Sequence, residues 1–177
     1  MTPCLLSGML STLLNKNIVR GYSMYLFIVL GTMLVLPIAS VAIETVLLGT
    51  SPNIIHIFEN WFIFWALGVR LFVAGFRQIV QPSFTAKQIF EIEDSKAHVV
   101  VQELGFANVA FGILGLVTIF QPHWISSATL CGFVFYGLAG ANHIFKKKNK
   151  TEWIAMVSDL YAAILFGIFL SFNLLKP

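Results

Sequence analysis

The chain contains 177 residues, of which 58% are hydrophobic and only 11% are charged. Its mean hydropathy of +0.84 excludes an ordinary soluble domain, in which about a quarter of the residues carry a charge. The composition therefore predicts an integral membrane protein. A formal net charge of +3 does not indicate nucleic-acid binding, because the basic residues form short clusters beside apolar segments.

The chain begins with a short apolar stretch that is not long enough to cross a membrane. Residues 5–14 are similar in composition to the core of a signal peptide, but no basic residue precedes them and no small-residue cleavage site follows. We predict that residues 1–21 form an interfacial helix, outside a single transmembrane domain that covers residues 22–177.

Five apolar segments have the length that a membrane helix requires, about 17 to 25 residues. They predict an all-α integral membrane bundle of five transmembrane helices. The predicted spans are residues 22–48, 54–80, 104–120, 124–144 and 153–175. Turn residues in GTSPN and QPHW predict tight connections after the first and third spans.

The connector between the second and third spans is longer and charged. We predict a cytoplasmic surface helix around residues 83–95, with Thr85 and Gln88 spaced as a capping box. A second helix-start signal at Asp94 and Ser95 offers an alternative, in which the third membrane helix begins early and includes AHVVVQELG.

The distribution of basic residues predicts the orientation. With five spans, nine Lys and Arg residues fall on the side of the N-terminus and one, Lys176, falls on the other. Since positive residues concentrate in cytoplasmic loops, we predict that the N-terminus is inside and the C-terminus outside. The corresponding location is the bacterial inner membrane.

Polar residues inside the spans fall at two depths, by the rise of about 1.5 Å per helical residue. An outer cluster contains Glu44, His56 and Glu59. An inner group, which we predict to bind a ligand, contains Arg70, Arg77, Gln78, Glu103, Asn108, His143 and Asp159. Such residues are costly in a bilayer and usually face the bundle interior.

Helical periodicity places many of these side chains on shared faces. In the second span, one stripe is formed by His56, Glu59, Ile63, Ala66, Arg70, Ala74 and Arg77. The fourth span has a stripe of Thr129, Gly132, Tyr136, Ala139 and His143, and the fifth has Ala155, Asp159, Ala162, Ala163 and Phe166. The third span has two small-residue faces, one with Glu103 and one with Asn108, which predicts helices packed on both sides.

Each polar group also has a structural interpretation. Arg70 either neutralises Asp159 or Glu103 in a buried pair, or binds an anionic or carbonyl-bearing group. Arg77 and His143 lie where side chains reach the membrane interface. The outer cluster is a weak metal signal, because its spacing matches no metal motif, and we predict no metal site. Nucleotide, zinc, redox and serine-hydrolase motifs do not occur in the sequence.

Four blocks carry a family resemblance: FRQIVQPSFTAKQIF (76–90), QELGFANVAFGILGL (102–116), FYGLAGANHI (135–144) and SDLY (158–161). Together they resemble an uncharacterised bacterial membrane family classified as a domain of unknown function. The positions that fit its pattern are Arg77, Gln78, Pro82, Glu103, Asn108, His143 and Asp159. The resemblance implies a small helical bundle and no activity. At fold level the chain is also similar to DoxX-like proteins, some of which are linked to quinone-associated redox chemistry.

Three functions remain open at this point. The first is a binding or transport module in which Arg70 and Arg77 hold a lipid head group or small acid, while Glu103, His143 and Asp159 handle protons. The second is an accessory or structural subunit of a membrane complex, which assembles with further copies of itself or with another membrane protein. The third is a membrane enzyme acting on a quinone or lipid, with His143 or Glu103 as general acid or base. The sequence does not indicate which cofactor, if any, the protein uses, so the cofactor is unknown.

Overall fold

The computed structural model describes residues 23–47, 49, 53–88, 90–145 and 150–175. The described residues form helices and no strand: α1 (Ser23–Leu47), α2 (Ile54–Val80), α3 (Pro82–Gln88), α4 (Ala97–Val117), α5 (Pro122–Ile144) and α6 (Lys150–Leu174). All except α3 contain a segment long and apolar enough to cross a membrane. The predicted all-α bundle with five such helices is confirmed. The predicted interfacial helix at residues 1–21 lies outside the described residues.

The third membrane helix, α4, begins at Ala97 and ends at Val117, whereas the apolar pattern alone predicted residues 104–120. The helix begins where the alternative start signal at Asp94 and Ser95 predicted. The Asp94 carboxylate accepts the Lys96 backbone N–H at 2.9 Å, and the Asp94 carbonyl accepts the Ala97 N–H at 3.0 Å. These bonds satisfy donors that a helix start leaves unpaired.

The surface helix α3 is shorter than the sequence predicted. It runs from Pro82 to Gln88, so Thr85 lies inside the helix and does not cap its start. Backbone bonds from Phe90 to Thr85 and from Ile92 to Ala86, at 3.1 and 2.8 Å, turn the chain away from the helix axis. Glu91 has a φ of 56°, a left-handed conformation that ends regular helix.

The bundle is built from two close helix pairs, with α1 packed against α2. In the first pair, α2 and α4 approach through glycines: a Cβ built on Gly115 would lie 2.5 Å from the Gly68 nitrogen. In the second pair, α5 packs along α6, where a Cβ on Gly140 would lie 2.7 Å from the Leu160 side chain. Small residues allow this close approach in membranes.

Helix α4 makes its closest contact through its glycine face, and it also contacts α5, where the Phe111 ring lies 5.2 Å from that of Phe135. Gly105, Asn108, Gly112 and Gly115 are buried against α2. On the other small-residue face Glu103 is exposed. Helix α4 therefore has α2 on its glycine face and α5 beside Phe111, whereas Glu103 stays exposed.

Aromatic residues fill the core between the outer polar residues and the inner polar residues. Phe62 has no exposed surface, and its ring lies 5.3 Å from that of Phe166 and 5.9 Å from that of Phe169. Phe166 also stacks on Tyr136 at 5.9 Å. These rings join α2, α5 and α6 and separate the outer polar residues from the inner ones.

Two segments of the membrane helices are wound as wide π-helical turns, at Gly31–Val35 in α1 and Ile63–Val69 in α2. The α2 segment ends directly before Arg70. Here the Arg70 N–H donates to the carbonyls of Leu67 and Trp65, so the Ala66 carbonyl does not receive the bond that an α-helix would give it. Such turns are frequently found at functional sites.

Candidate functional site

A polar cavity of about 490 Å³ lies in one half of the bundle, bounded by all five membrane helices and covered at its end by α3. Its volume is within the range of about 300 to 1,000 Å³ typical of small-molecule sites. Six of the seven residues predicted to bind a ligand line it: Arg70, Arg77, Gln78, Asn108, His143 and Asp159. The structure thus brings together residues from four helices that are far apart in sequence.

Helical phase explains why these side chains converge. On α2 the predicted stripe is followed, since Glu59, Ile63, Ala66 and Arg70 are buried and His56, Ala74 and Arg77 are half-buried. On α6 all five stripe residues are buried. The opposite faces carry large exposed apolar side chains, such as Phe76 and Ile164, which suit contact with lipid.

Arg70 pairs with Asp159 and not with Glu103. Its Nη2 donates to Asp159 Oδ1 at 3.0 Å and to Ser158 Oγ at 2.9 Å, and both members of the ion pair are buried. Ser158 in turn donates to the Ala155 carbonyl at 2.9 Å. Because Ser158 and Asp159 are adjacent on α6, one turn of that helix holds the guanidinium in place.

Tyr136 orients the same guanidinium from α5. The Arg70 Cζ lies 5.2 Å from the centre of the Tyr136 ring, a cation–π contact. The Tyr136 hydroxyl donates to the Ala66 carbonyl, which the π-helical turn leaves available. Tyr136 therefore satisfies the irregular turn and positions the residue that follows it.

His143 and Asn108 complete the inner wall. His143 Nε2 lies 4.0 Å from Asp159 Oδ2, so the carboxylate faces a cation on one side and an imidazole on the other. Asn108 Nδ2 donates to Gln78 Oε1 at 2.7 Å, linking α4 to α2. Within the described part of the chain, Arg70 Nη1, Asn108 Oδ1 and His143 Nδ1 are buried without a hydrogen-bond partner.

Arg77 lies nearer the end of the bundle. Its Cζ is 3.6 Å from the centre of the Phe84 ring on α3, so the surface helix covers the cavity through this contact. Among the described residues no carboxylate lies within ion-pair distance of Arg77. Arg70, Arg77 and Asp159 together leave the cavity with one positive charge in excess, before any protonation of His143.

Glu103 is the predicted residue that the structure does not place here. It is exposed on α4 and does not line the cavity. Its face of α4 points away from α2, because the glycine face occupies that contact. A role for Glu103 in handling protons within the cavity has no geometric support.

The outer polar residues separate into two groups. Glu59 has 1% of its surface exposed, and its Oε1 accepts bonds from Thr129 at 2.9 Å and Asn173 at 2.7 Å. Its Oε2 lies 3.5 Å from His56 Nδ1. Glu44 instead accepts a bond from the Trp61 indole. No group of three potential metal ligands forms among the described residues.

Several residues of these networks were not among the sequence candidates. Ser158 and Tyr136 hold Arg70, and Thr129 and Asn173 hold Glu59. Thr129 and Tyr136 lie on the predicted stripe of α5, which was a usable signal. Ser158 and Asn173 are ordinary polar residues of an apolar helix, and only the packing of α2 against α6 reveals their partners.

The fold and cavity define a class: a multipass membrane protein with a buried, charged pocket between its helices. Residues 23–175 match the model of the DUF6790 family, described as a family of unknown function. The chain belongs to that family. Comparisons with curated proteins and with solved structures gave no match.

Proposed function

We propose that the protein binds a small molecule or a lipid head group that carries an anionic oxygen and a hydrogen-bond donor. One observation carries the proposal: a single cavity contains two arginines, one carboxylate and three buried polar atoms without partners. Buried charges in a membrane are costly and mark binding or transport pathways.

The charge balance favours an anion. Asp159 neutralises Arg70, and no carboxylate of the described residues neutralises Arg77. A ligand with one negative charge restores neutrality in a region where water screens charge weakly. Arg77 provides the charge, while Arg70, fixed by Asp159, Ser158 and Tyr136, provides a donor held in one position.

The unpaired atoms favour a ligand with both kinds of hydrogen-bonding group. Arg70 Nη1 is a donor, Asn108 Oδ1 is an acceptor, and His143 Nδ1 can act as either. An unpaired buried polar atom costs about 1 to 3 kcal/mol. A hydroxyl beside an anionic oxygen supplies partners of both types, and His143 beside Asp159 supplies a route for a proton.

The two alternative functions fit less of the structure. The exposed Glu103 face of α4 suits contact with another subunit, which favours an accessory role as the second candidate. An enzyme acting on a quinone or lipid would have to rely on His143, since Glu103 lies outside the cavity. The quinone link rests on the DoxX-like similarity alone.

The proposal includes the orientation and location inferred from the loops. The cavity lies in the half of the bundle where α2 ends and α6 begins. Positive residues in the connectors of that end support the proposal that it faces the cytoplasm across a bacterial inner membrane. The ligand would then enter from the cytoplasm or the inner leaflet.

Native mass spectrometry of the purified protein tests the proposal. Arg77→Met removes the unneutralised charge. The double variant Arg70→Met/Asp159→Asn removes the buried pair without stranding one charge. Lys87→Met, an exposed residue of α3 outside the cavity, is the matched control. Glycerol 3-phosphate and lactate, each with an anionic oxygen and a hydroxyl, are added as soluble probes.

We expect a bound anionic species on the wild type and the Lys87→Met protein. Arg77→Met and the double variant should retain at least tenfold less of it and should bind the probes at least tenfold more weakly. The proposal is overturned if the folded cavity variants retain the species at the wild-type level. It is also overturned if the wild type carries no such species and binds neither probe.

A further inference from the structure

A second, larger cavity of about 680 Å³ forms a groove between α1 and α6 on the surface of the bundle. One wall is lined by three leucines of α1 that are four residues apart, Leu26, Leu30 and Leu34. The other wall is lined by Trp153, Val157 and Tyr161 of α6. By helical rise, these leucines span about 12 Å along the axis of α1. The groove is therefore elongated and apolar.

The polar end of the groove lies where α6 begins. Lys150 lines it there, and a lysine at this level attracts anionic lipid head groups. Trp153 follows one turn later, and tryptophan is enriched at the membrane interface. The groove thus extends from the head-group level toward the centre of one leaflet.

The groove and the polar cavity share a wall. Val29 of α1 lines both. Ser158 lines the groove, and its hydroxyl accepts a bond from Arg70, which lines the cavity. The boundary between the two spaces therefore lies between α1 and α6, at Val29 and Ser158.

We propose that the groove holds the acyl chain of a lysophospholipid whose monoanionic, hydroxyl-bearing head lies in the polar cavity, an inference that rests on the proposed function. The single excess charge of the cavity matches a phosphodiester, which carries one negative charge. The hydroxyls of a glycerol head give Asn108 Oδ1 the donor that a fatty acid, an acceptor only when ionised, does not have. One groove, between two helices, accommodates one chain.

In this arrangement the binding free energy comes from the head, and the groove determines where the acyl chain lies. Lipid tails are as apolar as the groove, so moving a chain from the bilayer into it gains little free energy. The location of the chain is therefore the informative measurement. Affinity that rises with chain length is not required.

The experiment uses the full chain in nanodiscs and a lysophosphatidylglycerol with a photoactivatable diazirine in the middle of its chain. Glycerophosphoglycerol, the monoanionic phosphodiester head itself, is the competitor, and lysophosphatidylcholine with the same chain is the zwitterionic control. Val157→Trp fills the groove. Ile164→Trp, two turns further along α6 and also exposed but outside the groove lining, is the matched control.

We expect crosslinks within residues 26–34 and 153–161, suppressed at least tenfold by glycerophosphoglycerol and weak with the choline lipid. Val157→Trp should reduce them at least tenfold and Ile164→Trp should leave them unchanged. If head competition persists while the crosslinks scatter over other helices, the groove inference is wrong and the proposed function stands. If no competition by the head is seen and the cavity variants behave as wild type, both are wrong.

Discussion

The contact between α2 and α4 predicts a large difference between two Gly→Ala substitutions. At Gly115 a new Cβ would lie 2.5 Å from the Gly68 nitrogen and 2.8 Å from its Cα. At Gly137, on α5, nothing lies within 4 Å of the added atom. Both substitutions gain the same intrinsic helix propensity, so their difference isolates the contact between helices.

The magnitude follows from the distances. Carbon atoms pack best at about 3.5 to 4.0 Å, and a gap of about 0.5 to 1 Å loses a quarter to a half of the contact energy. Backbone atoms of Gly68 cannot rotate away, so Gly115→Ala separates α2 from α4 by about 1 Å. Overpacking of this kind costs about 1 to 3 kcal/mol, and we expect Gly115→Ala to be less stable than Gly137→Ala by that amount.

Reversible unfolding in mixed micelles with increasing sodium dodecyl sulfate measures both variants against the wild type. Gly112→Ala, whose Cβ would lie 2.5 Å from the Phe72 nitrogen, should change in the same direction as Gly115→Ala. Equal stability of Gly115→Ala and Gly137→Ala would refute the close approach of the two helices.

Three further predictions concern the polar residues. Glu59→Ala should destabilise the protein by about 1 to 3 kcal/mol through two lost interhelical bonds, and a double-mutant cycle with Asn173→Ala should give a coupling of about 0.6 to 1.7 kcal/mol; additive effects would contradict the bond. Tyr136→Phe leaves the Ala66 carbonyl without its partner and should lower the free energy of unfolding by about 1 to 3 kcal/mol, so an unchanged unfolding midpoint would exclude that role. Glu103→Gln, at an exposed position, should leave the amount of bound ligand in native mass spectra at the wild-type level. A lower amount of bound ligand would show that Glu103 contributes to the site.

The sequence predicted which inner residues converge on one cavity because helical phase is a local property. Arg70, Arg77 and Asp159 lie on stripes that a rotation of about 100° per residue defines, and each stripe has few polar members. The spans themselves followed from hydropathy, which determines where a helix can cross a membrane. Both kinds of information are contained in short stretches of the chain.

What the sequence left open depends on contacts between helices. α4 has two faces of small residues, and the choice between Glu103 and Asn108 was made by the glycines of α2. Glu44 was grouped with Glu59 by depth, yet it bonds to Trp61 because α1 and α2 present these residues on a different side. Depth and phase constrain a residue to a level and a face but do not specify its neighbour.

The π-helical turn at Ile63–Val69 makes α2 sensitive to a change in the number of its residues. It contains the extra residue that sets the angle between Glu59 on one side and Arg70 on the other. Because the wide turn already absorbs one extra residue, inserting a second one there would leave composition and hydropathy almost unchanged while rotating the rest of α2 by about 100°. The Arg70 side chain would then point away from Asp159. Within this segment of α2, the number of residues therefore constrains the sequence more tightly than their identity does.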